Sequence, residues 1–180
     1  MMKNSFVYFA AIAAAALCGC SQPSAPAKTA QRPDHDPQLA AAGQVAVAGI
    51  RAAGAKFDSS VEVHPLREPA VDGLLKQAHD AETQQQPAQA LSSVRKALSI
   101  VPQSFDILQY EAELLIETGA WREGAASAQK SYELGPKVGS LCARNIETLV
   151  EARSSLGDSA GAEAARQQAS GCRVPAPARY

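Results

Sequence analysis

The chain is 180 residues long, with 17 basic and 18 acidic residues and a formal net charge of −1 at pH 7. That length suits one domain, and the near-neutral balance leaves no polybasic footprint for nucleic acid. Aromatic residues are only 5% while alanine is abundant, which disfavours a β-sandwich rich in β-branched and aromatic strands and favours closely packed helices.

Lys3 is the one charge in Met1 to Asn4, and Phe6 to Leu17 (FVYFAAIAAAAL) is an unbroken apolar block. A helix of that length rises about 18 Å, short of a bilayer core of about 30 Å. A basic start, a short apolar core and small residues after it make a secretory signal. A buried core helix is the poorer reading, because the proline-rich stretch that follows offers nothing to bury it. The end of the block, Leu17-Cys18-Gly19-Cys20, resembles the bacterial lipobox. The resemblance implies that residues 1–19 are removed and that Cys20 carries a diacylglyceryl thioether and an amide-linked chain such as palmitate. Cys18 fits badly as the acceptor, since Leu17 would then take the small position beside the cut. Single acyl chains bind membranes only marginally, whereas two or more anchor stably. Ser21, rather than an aspartate, follows the cysteine, which in lipoproteins of this kind implies delivery to the outer membrane, on its periplasmic face.

Residues 20–38 form the next segment. Pro23, Pro26, Pro33 and Pro37 punctuate a polar stretch that cannot build a core and reads as a disordered tether. If extended, it reaches on the order of 50 Å. Residues 39–68 are apolar, glycine-containing and poorly defined: a loose helix, or a strand at Val45 to Ile50. Val61 and Val63 alternate within FDSSVEVHPL, suggesting a short strand.

From about Pro69 to Cys172 the pattern becomes helical and overlays itself at a shift of 34. Leu74 falls on Leu108, Ala78 on Ala112, Ala90 on Gly124, Ala97 on Ser131, and Pro102 on Pro136. That period, with small residues here and a closing proline, resembles the tetratricopeptide repeat. "QALSSVRKALSIVP" (89–102) matches best, as the second helix of a repeat. Gly119 sits at the expected turn and Trp121 opens the next helix. Cys142, Ile146 and Leu149 keep the register, while Gly157-Asp158 and the helix beyond lag by four residues, about one helical turn. The expectation is an all-α fold of three stacked antiparallel hairpins, 71–102, 105–136 and 139–170, followed by a flexible tail over 173–180. Each hairpin leaves an apolar face that only its neighbour can cover, so the units must stack. Two departures stand out. The first helices carry Ala78, Ala112 and Ile146 where the repeat commonly has glycine, and Glu111 stands where it usually has leucine.

Cys142 opens the first helix of hairpin three and Cys172 follows the second. Those ends are neighbours in an antiparallel hairpin, and export places them in an oxidising compartment. A disulfide is expected; two cysteines with no nearby histidine make a poor zinc site. Gly157 to Gly161 (GDSAG) matches the G-x-S-x-G elbow, but that motif needs a strand before it and a histidine after it. His35, His64 and His79 all lie upstream, so Asp158 and Ser159 read as turn and cap residues. S-x-x-K at Ser93–Lys96 and Ser127–Lys130 is a product of the repeat, and Asp34 to Asp36 is a solvated triplet in the tether. No enzymatic activity, cofactor, metal or small-molecule substrate is expected.

In stacked repeats of this family the first helices line a concave groove. The 34-residue shift aligns Asp72 with Asp106, His79 with Glu113 and Glu147, and Glu117 with Glu151. Gln109 and Tyr110 stand among them. The groove is expected to be mostly acidic and to take a basic or mixed-charge protein segment in a salt-sensitive way; a plain solvated helix face is the alternative. The resemblance implies a lipid-anchored adaptor assembling an envelope complex such as a pilus, secretion or cell-wall machine. An inhibitor or immunity-type lipoprotein is the other reading.

Overall fold

Prolines and left-handed turn residues set the helix ends. A computed structural model describes residues 37–57 and 66–173. Within them the chain forms α1 (Pro37–Ala55), α2 (Pro69–Thr83), α3 (Pro87–Ile100), α4 (Phe105–Glu117), α5 (Trp121–Leu134), α6 (Gly139–Ser155) and α7 (Ser159–Gln168), then a 3₁₀ turn at Ala169–Cys172. No strand occurs among the described residues. The signal segment, Cys20, most of the tether, the alternating stretch around Val61 and Val63, and residues 174–180 lie outside them.

Pro69 and Pro87 each stand at a helix start, where the missing N–H has no partner to lose. The turns between the paired helices share one device. After α4, Ala120 N–H donates to Leu115 O at 2.8 Å and Gly119 N–H to Ile116 O at 2.9 Å, with Gly119 at φ +79. After α6, Asp158 N–H reaches Arg153 O and Gly157 N–H reaches Ser154 O, with Gly157 at φ +80. These are Schellman turns, which need a left-handed residue. After α2 the same two bonds form from Gln86 to Ala81 O and from Gln85 to Glu82 O. Here Gln85, without a glycine's freedom, takes φ +57. Asp158 then caps α7, its Oδ1 accepting from Gly161 N–H at 2.8 Å, which is the role its sequence position suggested.

Helices α2 and α3, α4 and α5, and α6 and α7 pack as antiparallel pairs, and α3 meets α4 as α5 meets α6. Small residues make the approach close: a Cβ on Gly124 would stand 2.8 Å from Ile116 Cδ1 and 3.1 Å from Ala112 O. Ala78, Ala90 and Ala97 are fully buried with Val71, Val94 and Leu114 in one core cluster. Ile146, Leu149 and Ala165 join Ala112 and Ala128 in a second. Glu111, at the position usually given to leucine, has a local reason. It accepts from Arg95 Nε on α3 at 3.2 Å and from Ser127 Oγ on α5 at 2.9 Å, tying three helices at one point.

Of the two readings open for Val45 to Ile50, loose helix or strand, the structure takes the helix, and α1 starts at Pro37, inside the expected tether. It packs against α4 and α6. Its inner stripe is Gly43, Ala46, Val47, Ile50 and Gly54, the three- and four-residue spacing of one helix face.

Candidate functional site

The first helices of the pairs, α2, α4 and α6, carry the ladder residues, and α1 lies against two of them. A Cβ on Gly43 would press into the carbonyl oxygens of Ile116 and Glu117, and one on Gly54 would stand 2.6 Å from Arg144 Cγ and 2.9 Å from Ser140 Oγ. The start of α1 therefore meets the end of α4 and its end meets the start of α6, so α1 runs antiparallel to both. Ala46, Val47 and Ile50 bury themselves with Ile116 and Ala152.

A charged cluster sits at the centre of this contact. Glu113 is fully buried. Its Oε2 accepts from Arg51 Nε of α1 at 2.9 Å, and its Oε1 accepts from Arg144 Nε of α6 at 2.8 Å and from Gln109 Nε2 at 3.0 Å. Gln109 Nε2 also donates to Thr148 Oγ1 at 2.9 Å. Arg51 spans a second carboxylate, with an N–O distance of 2.6 Å to Glu82 Oε1 on α2. Tyr110 Oη donates to Glu82 Oε2 at 2.8 Å, and the His79 ring stacks on Tyr110 with centroids 4.8 Å apart. Burial by itself would lower the Arg51 guanidinium, but Glu113 and Glu82 outweigh it and hold the charge more firmly than usual. Burial and then the bond to Glu82 push the Tyr110 phenol well above its ordinary range.

The expected groove residues thus divide. Gln109, Tyr110 and Glu113 are buried rather than open to a partner as expected: Arg51 of α1 covers Glu113, Gln109 is bonded between Glu113 and Thr148, and Tyr110 packs with the α2 and α3 core beneath His79. Asp106 is drawn to the loop before α2, pairing with Arg67 and accepting from Ser104 Oγ. Asp72 and His79 are exposed, while Glu117, Glu147 and Glu151 are partly covered. Burial, then the charge of Glu82, raises the Glu117 carboxyl above its ordinary range, Arg51 offsetting part of the rise. Glu147 is raised by burial and then by Glu151, against the pull of Arg166 and Lys56.

Sequence reasoning missed Arg51 and the pairing of Glu113 with Arg144. A usable signal existed: Gly43, Val47, Ile50 and Gly54 recur at helical spacing, with a lone arginine beside them. What it could not tell was which surface that face would meet. Cys142 and Cys172 are joined by a disulfide, with Cα atoms 5.5 Å apart, and both are buried.

No helix among the described residues is long and apolar enough to cross a membrane. No family model matches the chain and no curated protein is similar to it. Among solved structures it is similar to the globular C-terminal domain of P. aeruginosa LpoP, at 26% identity with a TM-score of 0.54, over 58% of this chain and 99% of that one.

Proposed function

We propose that the protein is a non-enzymatic adaptor, held by lipid on Cys20 to the periplasmic face of the outer membrane, that regulates an envelope complex through protein contacts. The likeness of its stacked hairpins to the LpoP domain carries this reading.

The partner surface on this reading is the set of carboxylates that α1 leaves partly accessible, Glu117 on α4 and Glu147 and Glu151 on α6. Crosslinking in intact membranes followed by mass spectrometry should join the domain to the components of one resident envelope complex, a pilus, a secretion machine or a cell-wall machine. Glu117→Lys with Glu147→Lys and Glu151→Lys should abolish that capture while leaving the helical signal intact. Undiminished capture by the triple variant would remove this surface from consideration, and a domain that crosslinks to no resident complex would overturn the adaptor reading.

A further inference from the structure

We infer that the face of α2, α4 and α6 bearing Glu82 and Glu113 is a binding site for a single arginine-bearing helix, that α1 is its internal occupant, and that a partner helix of the same chemistry displaces α1. The inference concerns the covered part of that face, so it goes beyond the adaptor reading and stands without it.

The acceptor pair is the first reason. Glu113 Oε2 and Glu82 Oε1 are bridged by one guanidinium, through Nε at 2.9 Å and a terminal nitrogen at 2.6 Å. That face holds both carboxylates independently of α1. Arg144 and Gln109 grip the other oxygen of Glu113, and Tyr110 grips the other oxygen of Glu82. When α1 leaves, Glu113 keeps a cationic partner, and the oxygen it exposes points at the incoming helix. A planar, forked donor fits two carboxylates on different helices; the single ammonium of lysine does not.

The second reason is shape. Close approach demands glycine eight positions before the arginine, at Gly43, and three after it, at Gly54, with aliphatic residues at Val47 and Ile50. The occupant is therefore specified as glycine, seven residues, arginine, two residues, glycine. The third reason is the modest apolar contact. Among the described residues of α1 the buried apolar side chains are Ala46, Val47 and Ile50; they share a small cluster with Ile116, Trp121 and Ala152, apart from the two clusters within the α2–α7 hairpins. Elements with few buried apolar contacts open at low free energy relative to the core.

The test uses the full mature chain and a labelled peptide of residues 37–57. An Ile50→Asp, Arg51→Glu double variant should keep its helical signal and the Cys142–Cys172 bond, lose amide protection in α1, and bind one peptide. Binding should fall at least tenfold when the peptide carries Arg51→Lys, and at least tenfold again on the wild-type chain, whose own α1 competes. On the wild-type chain, excess peptide should speed hydrogen exchange in α1 and leave α2 to α7 unchanged, a readout that does not depend on the variant folding. A folded double variant that ignores the peptide would overturn the proposal. So would α1 amides that exchange only on global unfolding, or a dimer that trades α1 between copies in place of peptide uptake.

Discussion

Glu113 sits in a position where a carboxylate is expensive unless every lone pair is used. It is fully buried and is met by two guanidiniums and an amide. Breaking a buried pair by removing one partner costs about 3–5 kcal/mol, because the other charge is left behind. Arg51 and Arg144 are partly solvated, which softens that penalty. Glu113→Gln should therefore destabilise the protein by about 2–3 kcal/mol, read as a lower urea midpoint. Glu117 works the other way. Its carboxyl is raised in the folded state, so folding favours its protonated form. That contribution is fully present at pH values below the ordinary carboxylate range and is lost as pH rises through the raised value. Glu117→Gln should then raise the melting temperature at neutral pH, by about 0.5 kcal/mol in stability, and the gain should vanish in acid. A constant offset across pH would contradict it. Gln85 supplies a simpler case: at φ +57 it bears a strain that glycine avoids. Gln85→Gly should stabilise by about 0.5–1 kcal/mol in denaturant titrations.

At the scale of the element, α1 shows how weakly local pattern specifies a partner surface. Thirteen of its nineteen residues are alanine, glycine or valine, so the same stretch reads as a loose helix or a buried strand until something covers one side. Helical spacing of Gly43, Val47, Ile50 and Gly54 was visible, yet the identity of the covering surface was not. That surface is built from Ile116, Ala152 and Arg144, which lie far along the chain and come together only when α4 and α6 stack. The paired helices were legible because their signals are local: Pro69 and Pro87 at starts, Gly119 and Gly157 at turns, alanine at close contacts. Gly43→Ala tests the α1 contact. The added methyl meets backbone carbonyls rather than flexible side chains. It should lower stability by about 1–3 kcal/mol and raise exchange in α1 ahead of the other helices.

Across the whole molecule, stacked units are stabilised by nearest neighbours, so the last pair has an uncovered side. The disulfide between Cys142 and Cys172, separated by 30 residues, closes that pair. Its loss should cost about 3–4 kcal/mol by the chain-entropy relation, seen as a shift of the denaturant midpoint on adding reductant and as faster exchange centred on α7. Alkylation without reductant should add no mass at these two cysteines. The amino-acid sequence by itself determined the repeat period, the helix pairs and the pairing of the cysteines, because proline, glycine and small-residue spacing act within a few turns of chain. It also marked the ladder from His79 to Glu147 as charged. Only the tertiary structure decided that the centre of that ladder is closed. Covering a groove depends on which distant face offers matching charge and close approach, and Arg51 meets Glu113 and Glu82 only after three separate helices have been brought into register.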